Sequence, residues 1–234
     1  MEHRHSVLET ARLKRFTWCI AVFLLLFLVL PRIPISWGQA KFALSQSTID
    51  DMVRRFGSRA RAQLQDWVSF VNNNRGLSDR DALDAVNIFF NRRIRYVEDI
   101  IHWKKNDYWA TPQETLASRG GDCEDFAIAK YYTLREWGIA DNKLRIVYVR
   151  SSRLRRPHMV LAYYPKPRSD PLILDSITSR ISRASERRDL TPVYSFNGSR
   201  LWTRYQRGQG QLGVTRRLRN WRYVTEKMRR AIIH

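Results

Sequence analysis

Arg119-Gly120-Gly121-Asp122-Cys123-Glu124-Asp125-Phe126 is a stretch that places a cysteine at the start of a predicted helix. The two glycines predict a tight loop, and Asp122 is expected to cap the first turn of a helix that ends at Gly138. Unpaired backbone N–H groups and the helix dipole favour the thiolate form of a cysteine near a helix N-terminus. Because the thiolate is the reactive form, Cys123 is a candidate nucleophile.

Three carboxylates flank this thiol, since Asp122, Glu124 and Asp125 surround it in the sequence. Their negative charge raises the pKa of a neighbouring thiol unless a cation neutralises them. Carboxylate oxygens are also the ligands of hard metal ions. The stretch therefore suggests a metal site beside the nucleophile. The alternative is that Asp122 only caps the helix and that the other two carboxylates are solvated.

The N-terminal segment has the pattern of an export signal. Residues 1–15 are basic, and residues 16–30 form an apolar run that is followed by prolines and small residues. We expect residues 1–40 to be a signal peptide or, if they are retained, an N-terminal membrane anchor through residues 16–30. Residues 41–234 would then form one domain outside the cytoplasm.

Export changes the meaning of the cysteine count. The chain has two cysteines, and Cys19 lies in the predicted export segment, so residues 41–234 hold Cys123 alone and can form no intrachain disulfide. A lone thiol in an oxidising compartment is expected to be buried or used. A small core residue is the alternative to a nucleophile. However, an inert buried cysteine is rarely set among charges that resist burial.

The formal charge of +20 and the pI near 10.7 predict attraction to an acidic partner, which could be anionic lipid, nucleic acid or an acidic polypeptide. No nucleic-acid-binding motif accompanies the charge, and export would separate the chain from genomic DNA, so no nucleic-acid partner is expected. Aromatic residues alternate with arginines in residues 200–230. We interpret this region as a solvated charged face with its aromatics in the core, rather than as a stacking platform for single-stranded nucleic acid.

Helical spacing of apolar residues dominates the first half of the chain, and alternation of apolar residues follows Gly138. This order predicts an α+β protein. Helices are expected at 48–74 with a break near Gly57, at 78–96 and at 111–116, and strands at 144–150, 158–164 and 172–175.

A cysteine nucleophile needs a base within hydrogen-bond reach and a third group that orients the base. Of the histidines in residues 41–234, His234 is terminal and His102 lies in a predicted polar loop. His158 begins a predicted strand, and Asp175 on the next strand can face it. The cysteine, His158 and Asp175 form a usable triad, although a lone histidine at a strand start is more often structural.

Asp107-Tyr108-Trp109-Ala110-Thr111-Pro112 and the segment from Gly121 to Ala127, with His158-Met159-Val160 and Asp175, resemble the bacterial transglutaminase-like cysteine proteinases. The similarity covers about residues 100–180. It implies a papain/transglutaminase-like core, in which N-terminal helices and a cysteine at a helix N-terminus pack on an antiparallel sheet that carries the histidine and the aspartate.

The resemblance also implies roles for individual residues. Cys123 would be the nucleophile, His158 the general base and acid, and Asp175 the residue that orients the imidazole. The three carboxylates around the cysteine, which are Asp122, Glu124 and Asp125, would bind Ca²⁺.

At the level of function, the resemblance implies a periplasmic, calcium-dependent endopeptidase that cleaves the N-terminal retention region of a large surface adhesin and so disperses biofilm. It further implies sequestration by an inner-membrane cyclic-di-GMP receptor. Two alternatives stay open at this point. One is a transglutaminase-type acyltransferase that cross-links proteins, and the other is a non-catalytic basic protein that binds membrane surfaces, for which Cys123→Ala would leave function intact.

Overall fold

The computed structural model describes residues 41–203, 213–214 and 218–233. The predicted export segment and His234 lie outside this range. Within it, no helix has both the length and the apolar character needed to cross a membrane. The described chain is a mixture of helices and antiparallel sheet, so the predicted α+β class is confirmed.

Helices form most of the first part of the fold. Ser45 and Ser78 cap the first and third helices by accepting hydrogen bonds from the backbone N–H groups of Thr48 and Asp81. Gly57 has a φ of 88°, in the left-handed region that favours glycine, and it separates the first two helices as predicted. The helices are α1 (Gln46–Phe56), α2 (Arg59–Asn73), α3 (Asp79–Arg93), α4 (Asp99–His102), α5 (Pro112–Ser118), α6 (Cys123–Glu136) and α7 (Arg219–Ala231).

The strands are β1 (Ala43–Leu44), β2 (Arg95–Tyr96), β3 (Gly120–Gly121), β4 (Leu144–Ser151), β5 (Arg156–Tyr163), β6 (Leu172–Leu174), β7 (Ser182–Arg183), β8 (Leu190–Phe196), β9 (Arg200–Thr203), β10 (Gly213–Val214) and β11 (Ile232–Ile233). Seven of them form one antiparallel sheet in the order β10-β9-β8-β4-β5-β6-β7. The three predicted strands therefore lie next to one another as β4, β5 and β6.

The two glycines before Cys123 do not form the predicted tight loop. They form β3, which pairs in parallel with β2, and the turn is made by Arg119 at a φ of 55°. Glycine is needed for close packing instead. A Cβ atom on Gly120 would lie 2.6 Å from His102 Cε1, and one on Gly121 would lie 2.6 Å from Asp125 Oδ2.

Helix α6 is held between the other helices and the sheet. Its apolar side chains, such as Phe126, Ile128 and Leu134, belong to one core with residues of β4 and β5. On its other side, the buried Trp67 of α2 donates a hydrogen bond from Nε1 to Thr133 Oγ1 at 2.9 Å. Because tight packing resists displacement, the helix that begins with the cysteine has a fixed position relative to the sheet.

A buried carboxylate, Glu114 of α5, joins α7 to the segment that precedes the cysteine. Lys227 Nζ and Arg55 Nη1 lie 2.7 and 2.9 Å from Glu114 Oε1, and the Tyr108 hydroxyl donates to the same oxygen at 2.9 Å. Burial alone would raise the pKa of Glu114, but these cations and the backbone N–H of Thr111 lower it to about 2. The basic helix α7 thus contributes Lys227 to the packing of this segment. The apolar side of the same helix is buried.

Candidate active site

Cys123 is the first residue of α6, and it lies beside the strand that carries His158. Its Sγ donates a hydrogen bond to Glu124 Oε2 at 3.1 Å, and the backbone N–H of Met159 hydrogen-bonds the sulfur. Since Met159 directly follows His158 in β5, the thiol lies beside the backbone of the strand that carries the histidine. Both residues line one cavity of about 380 Å³.

The predicted cap by Asp122 is wrong. Asp122 occupies the N-cap position of α6, but its side chain makes no hydrogen bond to the first turn of the helix within the described residues. Its carboxylate turns instead toward other acidic side chains, where oxygens of Asp122, Asp99 and Asp125 lie within 4.8 Å of one another. The N–H groups of the first turn are therefore left for another ligand.

The structure brings His158 and Asp175 into direct contact. His158 Nε2 lies 2.8 Å from Asp175 Oδ1, and the two side chains are buried. The sheet ladder ends at the pair Leu161–Leu174, so Asp175 follows β6 instead of ending the strand as predicted. Because Asp175 occupies Nε2, Nδ1 is the nitrogen of His158 that can accept a proton from the thiol.

The Asp175 carboxylate is held in its ionised form. Burial by itself would raise its pKa, but the hydrogen bond to His158, the backbone N–H of Ile177 at 3.1 Å and Arg187 Nη2 at 2.9 Å lower that pKa to about 2. The role of Arg187 was not predicted, because it lies twelve positions after Asp175, beyond a loop and a short strand. Asp175 can thus orient His158 as an anion at neutral pH.

Arg187→Met should destabilise the protein, because it leaves the buried Asp175 carboxylate with one charged partner fewer. We expect a loss of about 2–4 kcal/mol in the free energy of unfolding at pH 6. The depressed pKa of Asp175 contributes stability above the unfolded value near 4, and this contribution disappears as the pH falls through about 2. Urea unfolding at several pH values measures the difference between the variant and the wild type.

The control for this experiment is Arg80→Met, which removes an exposed ion pair of Arg80 with Asp84 at 2.8 Å. Exposed pairs contribute about 0–1 kcal/mol, so this variant should unfold almost as the wild type does. Equal losses in the two variants would show that Arg187 does not hold Asp175.

Five carboxylates gather beside the cysteine, two more than the sequence analysis identified. Oxygens of Asp99, Asp107 and Glu124 lie within 4.8 Å of one another, as do those of Asp99, Asp122 and Asp125. Asp99 comes from α4, whose position depends on tertiary packing, and Asp107 opens the Asp-Tyr-Trp motif. The sequence contained both residues but gave no spacing that would place them beside the cysteine.

The cluster fits a hard cation. Asp99 Oδ1, Asp122 Oδ1 and Asp125 Oδ2 are buried and have no hydrogen-bond partner among the described residues. Burial, followed by the charges of neighbouring carboxylates, raises the pKa of Asp99 to about 7, that of Asp122 to about 11 and that of Asp125 well above its usual range. Unpaired buried carboxylate oxygens are the donor set that Ca²⁺ prefers.

The same charges act on the nucleophile. Burial, then the charges of Glu124 and Asp122, raise the pKa of the Cys123 thiol well above its usual value. A cation held by these carboxylates would oppose the electrostatic part of this effect. The metal site beside the nucleophile stays a prediction, and these charges give the physical reason for it: a cation bound there would act directly on the thiol.

Without a cation, the acidic cluster should make stability fall as the pH rises. A carboxyl group with a raised pKa keeps its proton in the folded state after the unfolded chain has lost it near pH 4, up to about 7 for Asp99 and about 11 for Asp122. In EGTA, we expect the melting temperature at pH 5 to exceed that at pH 8 by about 2–8 °C. Asp122→Asn should reduce this difference, and an unchanged difference would contradict the assignment.

His102 lies away from this cavity. It ends α4 instead of lying in the predicted polar loop, and its Nε2 lies 2.9 Å from Ser118 Oγ. It packs against Gly120 and so fixes α4 on β3. Among the histidines of the described residues, His158 is the one that lines the cavity with the thiol.

A thiol at a helix N-terminus, next to a strand whose histidine is hydrogen-bonded to an aspartate, is the arrangement of transglutaminase-like thiol enzymes. The sequence profile of the bacterial transglutaminase-like cysteine proteinases matches residues 60–191. The chain belongs to this family of cysteine proteases.

Solved structures of Legionella pneumophila LapG are similar to this chain. The EGTA-treated structure is 39% identical, with a TM-score of 0.69, over 78% of this chain and 96% of the LapG chain. The calcium-bound structure is 40% identical, with a TM-score of 0.67, over 78% and 98% of the two chains. Among curated proteins, none matches the chain.

Proposed function

We propose that this protein is a calcium-dependent periplasmic cysteine endopeptidase with Cys123, His158 and Asp175 as its catalytic residues. Its proposed substrate is the N-terminal retention region of a large biofilm surface adhesin. The observation that carries the proposal is the 2.8 Å contact of Asp175 with His158, the histidine that lines one cavity together with Cys123. A buried, hydrogen-bonded pair of this kind supports catalysis over the alternative of a binding protein without activity.

In the proposed reaction, His158 Nδ1 takes the proton of Cys123 Sγ, and the thiolate attacks the carbonyl carbon of the scissile peptide bond. Backbone N–H groups at the start of α6, including that of Cys123, would stabilise the oxyanion. As the intermediate collapses, the C–N bond breaks, His158 returns the proton to the departing amine, and a thioester remains. Water activated by His158 then hydrolyses the thioester, while Asp175 stays ionised.

The cation site would be formed by the predicted ligands Asp122, Glu124 and Asp125, to which we add Asp99 and Asp107. When bound, Ca²⁺ supplies positive charge that offsets the carboxylates beside the thiol. The solved LapG structures include a calcium-bound form, which supports the choice of this ion.

The partners and the location are inferred from the family resemblance. The basic, apolar and small-residue pattern of residues 1–40 supports export to the periplasm, and the adhesin and an inner-membrane cyclic-di-GMP receptor are the proposed substrate and regulator. The formal charge of +20 would favour acidic surfaces on either partner.

A protein-cross-linking acyltransferase would form the same thioester and differ only in the acceptor, which is an amine instead of water. Incubation of the purified protein with envelope proteins from the same cells, in the presence of Ca²⁺, separates these activities. Mass spectrometry should detect an adhesin that has lost an N-terminal segment. Products of higher mass, with no shortened protein, would indicate cross-linking and overturn the proposal.

A further inference from the structure

A buried lysine lies on the helix that carries the nucleophile. Lys130 of α6 is 1% exposed, and Cys123, Phe126 and Lys130 are spaced three and then four residues apart, so they share one face of the helix. Burial lowers the pKa of Lys130 to about 7, against the opposing effect of the Asp175 charge. A lysine in the core is costly, and an apolar residue of similar length would fill the same space.

The hydrogen-bond acceptors of Lys130 are neutral oxygens. Its Nζ donates to Asn87 Oδ1 at 2.8 Å and to the backbone carbonyl of Asp175 at 3.0 Å, and none of the ion pairs of the described residues includes it. Charge neutralisation therefore does not explain the lysine. Its contacts point to the backbone of the Asp175 segment.

That segment needs support because the sheet has already ended. The β5–β6 ladder stops at Leu174, so no strand pairing holds the backbone of Asp175. Hydrogen bonds from side chains of the helices hold this backbone in place of strand pairing. Asn91 Nδ2 donates to the same Asp175 carbonyl at 2.9 Å, and Asn87 Nδ2 donates to the carbonyl of Ser179 at 3.0 Å.

We infer that Lys130 is a positioning residue for the proposed catalytic pair. Together with Asn91, it donates a hydrogen bond to the backbone carbonyl of Asp175 and so fixes the backbone there. The side-chain carboxylate of Asp175 is thereby held in contact with His158. The nucleophile and the anchor of the orienting aspartate then lie on one rigid helix. This inference rests on the proposed function, because it assigns Lys130 a task in that triad.

The test measures how fast iodoacetamide alkylates Cys123, which requires no knowledge of the natural substrate. The full chain carries Cys19→Ser, so that Cys123 is its single thiol, and Ca²⁺ is present at pH 7. Lys130→Met should slow alkylation about tenfold and Asp175→Ala about 100-fold, since both variants weaken the activation of the thiol by His158. Lys130→Gln, which keeps a hydrogen-bond donor, should recover part of the rate.

The combination of Lys130→Met with Asp175→Ala is the decisive variant. If Lys130 acts through Asp175, the double variant should react within about twofold of Asp175→Ala alone. A lysine that affects the thiol by a route independent of Asp175 would instead give losses that multiply, and one that only stabilises the fold would leave the rate unchanged. Multiplied losses, or a Lys130→Met rate within about twofold of the wild type, would overturn the inference.

Three further variants keep the result unambiguous. Lys143→Met removes a half-exposed lysine that pairs with Asp79 at 2.8 Å. Iodoacetamide should alkylate Cys123 in this variant at the wild-type rate. If Lys130→Met does not fold, Asn91→Ala tests the second donor to the same carbonyl and should slow the reaction about threefold, and a wild-type rate there would overturn the inference. His158→Ala tests the proposed function separately: a fast reaction in this variant would refute the triad itself.

Discussion

Replacing Cys123 by alanine is expected to abolish proteolysis, because residues 41–234 hold no other thiol that could form the thioester. His158→Ala should have nearly the same effect, since the thiol would lose its base. Each loss should reach about 10³-fold or more in kcat, and the double variant should be little worse than either single one. Steady-state cleavage of the adhesin segment by each variant measures this.

Cys19→Ser is the matched control for the loss of a thiol. It lies in the predicted export segment and should leave the activity of the purified protein unchanged. If the His158→Ala variant cleaved at a rate near that of the wild type, His158 would not be the base, and the 2.8 Å contact with Asp175 would be structural.

The second large effect concerns calcium affinity. The five carboxylates beside the thiol would supply the charge for the proposed site, so Asp122→Asn or Asp99→Asn should weaken Ca²⁺ binding by at least about tenfold. Magnesium should bind poorly, because it demands a tighter octahedral geometry and retains its water molecules. Titration calorimetry on the metal-free protein measures both affinities.

Asp84→Asn is the control for the loss of a carboxylate, since Asp84 lies on α3 in an exposed pair with Arg80. It should bind calcium as the wild type does. If Asp99→Asn bound calcium with wild-type affinity while Asp122→Asn did not, Asp99 would not be a ligand of the site. Wild-type affinity in both variants would remove the calcium assignment.

Local signals in the sequence were sufficient for the elements that carry the site. A helix beginning at Cys123 and a strand containing His158 follow from apolar spacing and alternation, and the structure has both. The third predicted strand is also present, but it ends at Leu174, one residue before Asp175. Strand alternation also anticipated that His158 and Asp175 would face each other. These features depend on residues close in sequence or on neighbouring strands, where periodicity is informative.

The contacts that the sequence did not reveal join distant segments. Asp99, Arg187 and Lys130 reach the site through the packing of α4, the loop before β8 and the inner face of α6, and no motif marks these residues. The two glycines before Cys123 were assigned to a turn because glycine is common in turns. Glycine is required at these two positions because the side chains of His102 and Asp125 lie too close for a Cβ atom, and this closeness depends on the tertiary structure alone.

Cleavage of the adhesin segment by the wild-type protein, first in EGTA and then after addition of Ca²⁺, tests the central claim most directly. We expect no shortened product in EGTA, full cleavage after calcium is restored, little cleavage with magnesium, and none by Cys123→Ala under any condition. Cleavage that proceeds equally in EGTA, or that Cys123→Ala also performs, would contradict a calcium-dependent thiol protease.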